Sequence, residues 1–359
     1  MNVMNIHRSQ KPTGGRWSGL SIVAVGALAL GAAACTSNSK AATDPTTTGA
    51  NTSSTVNLVA YSTPKKAYAA LIAAFQKTPA GKHVTFTTSF GASGQQAKNV
   101  IAGQPADVVN FSLEPDMAKV LKAGLVSSSW DTVGPDHGMV TNSVVVFVVR
   151  KGNPKHITTW ADLTKPGVKV VTPNPFSSGS ARWNLMAAYG AQIKLGKSPA
   201  QAQSYLQGLL KNTVAQPASA SDALAAFEAG TGDVLLDYED DAIAAVKKST
   251  SVQYVVPSQT ILIENPIAVT TSGSKNKGAT AFVSYLLSSA GQELWAKLGY
   301  RPVIASAATA AGAHFPTPPQ LFTIDSLGGW TSVATKFFDP TSGVVAKIET
   351  GLGVSTASS

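Results

Sequence analysis

The sequence predicts an α/β fold of two lobes, two mixed sheets flanked by helices and joined by two hinge strands. Three observations predict it. Short apolar runs of strand length alternate with helical patterns from residue 56 onward, which marks βαβ units. Two alternations of similar length, 56–140 and 144–262, are separated by a Gly/Pro/Ser-containing bridge at 128–143 and followed by a long apolar segment at 261–270 suited to a return crossing. The 359 residues, 44% hydrophobic and 13% charged, suffice for two cores of ordinary size and exclude a disordered chain. The expected partition is 56–142 plus 266–359 for the first lobe and 143–265 for the second.

Taken in order, 57–60 reads as a strand and 64–77 as an amphipathic helix; 83–88 is a strand and 94–102 a helix; 107–110 is a strand and 115–122 a helix. A strongly β-branched strand at 144–150 opens the second alternation, followed by a strand at 168–171 and a long helix from 179 to 195. Helices at 199–211 and 219–229 precede a strand at 233–237. The segment 261–270 is apolar but interrupted by Pro266; helices follow at 278–287 and 292–298, and the tail from 328 to 351 reads as short helices. The acidic run Glu239-Asp240-Asp241 is expected to be a solvated first helical turn, and Asp237 a strand-end residue facing solvent.

The start of the chain is a targeting segment. Arg8, Lys11 and Arg16 precede an apolar stretch from 20 to 34 that ends Gly31-Ala32-Ala33-Ala34-Cys35, so 1–34 reads as a signal peptide. The stretch is short for a membrane span, which needs roughly 20 apolar residues. The only cysteine follows the small residues directly, as the lipidated cysteine of a bacterial lipoprotein does, although Ala32 stands where Leu is usual. Residues 36–55 are polar and aperiodic, a flexible tether. The expected location is the extracytoplasmic face of the bacterial cytoplasmic membrane, with Cys35 as lipid anchor.

Composition removes several function classes. One cysteine excludes disulfide, zinc-ribbon and iron–sulfur scaffolds, and five scattered histidines offer no metal-ligand spacing. The net charge of +9 falls to +6 once the three leader cations are gone, and the remaining Lys and Arg form no cluster interleaved with aromatics, so nucleic acid is not an expected partner. G-x-S-x-G, Walker A and G-x-G-x-x-G are absent, which leaves an enzyme without a motif. No cofactor or metal is expected.

The chemistry-bearing positions are four strand-to-helix turns rich in small and hydroxyl residues: Tyr61-Ser62-Thr63-Pro64-Lys65, Gly91-Ala92-Ser93-Gly94-Gln95, Ser177-Ser178-Gly179-Ser180-Ala181-Arg182 and Pro217-Ala218-Ser219-Ala220-Ser221. Small side chains let a ligand reach the backbone, where free N–H groups and the helix dipole favour an anion. Each helix start carries roughly +0.5 charge, so four converging would approach about +2 and offset a dianion without a buried Lys or Arg. Taken singly, each turn is also an ordinary N-cap.

The string Asn174-Pro175-Phe176-Ser177-Ser178-Gly179-Ser180-Ala181-Arg182, with Gly91-Ala92-Ser93-Gly94-Gln95-Gln96, resembles the sulfate-binding proteins of bacterial ABC importers, differing from their Asn-Pro-Lys-(Ser/Thr)-Ser-Gly-x-Ala-Arg fingerprint at Phe176. Lys165-Pro166-Gly167-Val168, Tyr300-Arg301-Pro302 and Gly328-Gly329-Trp330 extend the likeness over about residues 56–350. The resemblance implies a type II periplasmic-binding-protein fold, a monomer that closes on sulfate and docks on a membrane permease driven by an ATPase. It implies ligand contacts at Ser62, at Ser93 (hydroxyl and N–H) and Gly94, at Ser178, at the N–H groups of Gly179, Ser180 and Ser219, and at Tyr238, which stands where the family has an indole donor. The wall from 215 to 240 departs from the family pattern. That leaves thiosulfate, molybdate, tungstate and phosphate open beside sulfate, with Asp222 and Asp237 as acceptors a phosphate would use. An envelope enzyme working through Ser93 or Ser178 is the different-class alternative. Since sulfate does not titrate near neutrality, its affinity is expected to be flat from about pH 6 to 8.

Overall fold

The structure is a computed structural model and describes residues 54–356, which fall in one compact unit. The signal peptide and Cys35 lie outside the described residues, as does the tether except its last two positions, which already belong to the first strand.

The first alternation is β1 (Ser54–Tyr61), α1 (Lys65–Phe75), β2 (Val84–Gly91), α2 (Ser93–Ile101), β3 (Val108–Asn110) and α3 (Glu114–Lys122). The long β4 (Met139–Arg150) crosses to the second: β5 (Val170–Val171), α4 (Gly179–Lys194), α5 (Pro199–Lys211), β6 (Thr213–Ala215), α6 (Ala220–Glu228), β7 (Val234–Tyr238), α7 (Glu239–Lys248) and β8 (Val252–Val255). The equally long β9 (Gln259–Val269) returns, followed by α8 (Lys277–Leu286), α9 (Ser289–Lys297), β10 (Arg301–Pro302), α10 (Ala305–Ala310), β11 (Gln320–Phe322), α11 (Gly329–Phe338) and α12 (Val344–Gly351).

In the first lobe β1 lies parallel between β2 and β3, and β3 pairs antiparallel with the end of β9. In the second, β7 pairs antiparallel with β4 and parallel with β5, which pairs with β6. The two sheets join because β4 and β9 pair with each other, Val144 against Leu262 through Met139 against Pro266. These are the two hinge strands the sequence predicted. Pro266 does not break its strand. A register shift between Met139 and Thr141 accommodates it, and its carbonyl accepts from Phe111 N–H (3.0 Å) and Asn110 Nδ2 (2.9 Å).

Why residues 144–149 are apolar without alternation follows from their position. Val145, Phe147 and Val149 face the core under α4 and α5, while Val144, Val146 and Val148 face the core under α6 and α7, and none is more than 1% exposed. The first sheet is covered likewise by α1, α8 and α9 on one side and by α2 and α3 on the other.

The tail corrects the expected partition. Residues 320–351, expected in the first lobe, pack on the second: β11 pairs with the start of β9, Trp330 meets Trp183 edge-on at 4.6 Å, and Phe337 meets Tyr189 at 4.7 Å. The apolar face of α11 and α12 completes the second lobe's largest core, because α4 is buried on nearly all sides and needs cover beyond its own lobe's helices. A second correction concerns Glu239-Asp240-Asp241 and Asp237. All four are buried (1%, 2%, 8% and 1% exposed), since α7 starts against the first lobe rather than in solvent. Glu239 is matched by Arg301 (Nε–Oε2 2.6 Å), whereas one oxygen each of Asp237, Asp240 and Asp241 has no partner.

Candidate anion-binding site

The Asn174-Pro175-Phe176 turn aims α4. The Asn174 carbonyl accepts from Ser177 N–H (3.3 Å) and Ser178 N–H (2.8 Å), its side-chain oxygen from Phe176 N–H (2.8 Å), and Arg182 Nε donates to the Pro175 carbonyl (2.8 Å). Arg182 thereby braces the turn. Phe176, where the resembled family carries Lys, is buried in the second lobe's core.

Helices α2 and α4 begin face to face across the cleft, and neither has an acid in its first turn. Their first amides lack intrahelical partners, so two positive helix ends meet, with the Asp116 carboxylate of α3 at the α2 end and no acid within either helix's own first turn. Helix α6 differs: Ser219 caps it by accepting from Asp222 N–H (3.2 Å) while its hydroxyl donates to Asp222 Oδ2 (2.6 Å). Asp222 therefore already offsets that helix end, as its reading as a first-turn acid implies, and four equal positive ends reduce to fewer. Ser219→Ala is expected to lower stability by about 1 kcal/mol through loss of this cap. Calorimetry at neutral pH reads it, and an unchanged Tm would show that the cap contributes nothing.

The residues singled out from sequence separate into two layers. Ser93, Ser178, Gly179, Ser180 and Tyr238 are all buried and form the inner one. Ser62 and Ser219 stand at the mouth, lining a cavity of about 330 Å³ with Lys65, Gln95, Ser177 and Asp222. Two expected ligand groups are already engaged. Gly94 N–H donates to the Ser177 carbonyl (3.1 Å), so it latches the lobes together rather than standing free. Ser93 Oγ donates to Asp116 Oδ2 (2.7 Å) and accepts from Ser112 N–H (3.0 Å), which leaves only the backbone N–H of Ser93 for a guest. Ser178 and Ser180 hydroxyls bond each other (2.9 Å), sharing one proton and keeping one for a ligand.

Sequence reasoning missed Ser112. It lies two residues beyond β3, and ligands of open α/β sheets bind just past strand carboxyl ends, which is the signal that could have found it. Its hydroxyl is 2.7 Å from Tyr238 OH, its carbonyl accepts from Trp183 Nε1 (2.8 Å), and it touches the first turns of both α2 and α4. These bonds, with Gly94 to Ser177 and Ser221 N–H to Ser62 Oγ (3.4 Å), span the cleft and hold the lobes closed. Among the described residues no three His, Cys, Asp or Glu are grouped to hold a metal ion, and no helix is long and apolar enough to cross a membrane.

Two α/β lobes on paired hinge strands, closed over facing helix starts that carry hydroxyls, have the architecture of a two-lobed binding protein. Comparison with known proteins agrees. The chain belongs to the bacterial extracellular solute-binding protein family, whose model matches residues 56–301. It is 39% identical over 291 residues to a sulfate-binding protein of Synechococcus elongatus (79% of this chain, 83% of that protein). It is 39% identical over 280 residues to the sulfate-binding protein of Escherichia coli (76% and 85%). Among solved structures it resembles the sulfate-binding protein SubI of Mycobacterium tuberculosis, with a TM-score of 0.76 at 43% identity, covering 80% of this chain and all of the other.

Proposed function

We propose that this protein captures sulfate outside the cytoplasm and presents it to the permease of an ATP-driven importer. The observation that carries the reading is the meeting of the α2 and α4 starts, both without first-turn acids, inside a closed cleft whose inner residues are hydroxyl-bearing or glycine. Such a chamber suits a fully deprotonated dianion, because peptide amides donate without bringing a proton that must be shared. Sulfate would be held by the N–H groups of Ser93, Gly179 and Ser180 and by hydroxyls of the Ser178/Ser180 pair, with Ser62, Ser219 and Tyr238 closing the shell. Removal from water strengthens each of these bonds. The similarity to sulfate-binding proteins at 39% identity supports the same ligand. The mature chain acts as a monomer held to the membrane through acylated Cys35, and the ligand favours the closed lobes that the permease reads.

Titration calorimetry tests the ligand. Saturable 1:1 sulfate binding is expected, and an absence of binding to sulfate would sink the reading. The anchor is tested apart from it: Cys35→Ala should move the protein from the membrane to the soluble fraction, and a soluble wild type would remove the lipid.

A further inference from the structure

Ser112 occupies the crossing of the inner layer, and its backbone is fully used. The carbonyl accepts from Trp183 Nε1 (2.8 Å) and Asn265 Nδ2 (2.9 Å), and the N–H is given to Ser93 Oγ (3.0 Å). Only the hydroxyl is left, buried, 2.7 Å from the equally buried Tyr238 hydroxyl. It lies at the start of α4: a Cβ on Gly179 would stand 2.7 Å from Ser112 Oγ. An anion seated on the first amides of α4 and α2 therefore rests against this side chain.

Proton counting gives the pair its chemistry. Two hydroxyls carry two protons, and the bond between them uses one. Either oxygen can be the donor. When Tyr238 donates, Ser112 has a proton to give to a guest; when Ser112 donates, Tyr238 gives its own proton to the guest and Ser112 turns a lone pair toward the guest's proton. An indole at position 238 could only donate. Burial pushes the Tyr238 phenol well above its ordinary range, so it keeps its proton near neutrality.

We propose that Ser112 contacts the bound anion and, with Tyr238, forms a reversible donor–acceptor pair that admits a protonated tetrahedral oxyanion, of the hydrogen phosphate kind, beside sulfate. This rests on the sulfate reading above and goes beyond it. Sulfate takes the donating state, and a ligand carrying its own proton takes the accepting state. Without Tyr238, accepting would strand the Ser112 proton in a buried site, a loss on the order of tenfold in affinity or more.

The experiment is titration of the mature chain at pH 7.5 with sulfate and, separately, inorganic phosphate, for the wild type, Ser112→Ala and Tyr238→Phe. The wild type should bind both anions. Ser112→Ala should weaken both by about 10- to 100-fold, the usual effect of one hydrogen bond to a charged group. Tyr238→Phe should weaken phosphate by about tenfold or more beyond any loss of sulfate, widening the ratio between them. A merely structural tyrosine would shift both equally, and that result overturns the pair. Unchanged sulfate affinity in Ser112→Ala overturns the contact. A wild type that binds sulfate but no phosphate at millimolar concentration overturns the acceptor state, whereas a wild type binding neither sinks the sulfate reading itself. Should Ser112→Ala fail to fold, the ratio in Tyr238→Phe still decides.

Discussion

Gly179→Ala is expected to weaken sulfate binding by about a hundredfold or more, close to 2.7 kcal/mol, while leaving the protein folded. The added Cβ would stand 2.0 Å from Leu113 Cδ2, 2.8 Å from Ser112 Cβ and 2.7 Å from Ser112 Oγ. Carbon atoms pack at roughly 3.5–4 Å, so something must retreat by more than an ångström. Gly179 opens α4 in the second lobe, and residues 112–113 lead from β3 into α3 in the first. The clash is therefore between lobes, and parting them relieves it without disturbing the β4 and β9 pairing. The variant should stay open, with a larger radius in X-ray scattering that sulfate fails to reduce. Gly179→Asp adds a charge against the anion and should be worse. Wild-type affinity in either variant would remove this turn from the site.

Lowering the pH from 8 to 5 should raise thermal stability by about 5 °C or more, opposite to what paired surface carboxylates would give. Burial raises the carboxyls of Asp237 and Asp240 well above the ordinary range, and the Asp241 charge adds to both. Burial pushes Asp241 up to about 6, against the pull of Lys66. The native chain thus holds protons that the unfolded chain has released. The stability these groups contribute is complete below the ordinary carboxylate range and is lost as pH rises, through about 6 for Asp241 and well above the ordinary range for the other two, at up to about 1.4 kcal/mol per pH unit for each proton. Asp162 works the other way. Burial alone would raise it, but bonds from Lys165, Thr158 and Thr159 outweigh that and hold it low, so stability falls again under strong acid. Calorimetric Tm values at pH 5, 6.5 and 8 check the sign, and Asp240→Asn should raise the value at pH 8 and flatten the profile. A Tm that climbs from pH 5 to 8 would falsify the assignment.

The same groups bear on binding. Asp240 and Asp241 line a cavity of about 620 Å³ between the lobes, facing Thr63, Lys66 and Tyr300 of the first lobe, and the Asp240 charge also acts on Tyr61. If parting the lobes wets these carboxyls, closure takes up protons, and sulfate affinity falls as pH rises even though sulfate does not titrate. In that case the flat profile expected from the ligand alone gives way to one that falls from about pH 6 to 8, which titration calorimetry across that range reads.

Most elements were legible because helices and strands follow from short-range periodicity, and because Ser, Gly and Pro mark their ends where the backbone needs them. Helix α5 starts at Pro199 after the Ser198 cap and ends at Lys211, as its spacing implied. The short β6, β8, β10 and β11 were not legible, whereas the equally short β3 and β5 were, because those two sit in the apolar runs at 107–110 and 168–171. The acidic start of α7 misled for a related reason. Three consecutive acids read as a wet helix end locally, while Arg301 and the first lobe, both distant in sequence, bury them.

By itself the sequence determined the βαβ alternation, the two crossings between lobes, and the helix starts whose small residues and free amides suit an anion. These are properties of a few adjacent residues. Only the tertiary structure decided which of those donors remain available: Gly94 is spent on Ser177, the Ser93 hydroxyl on Asp116, and the Ser112 hydroxyl is bonded to Tyr238, 126 residues away. A hydroxyl's single proton goes to whichever acceptor folding brings nearest, and no local pattern encodes that partner.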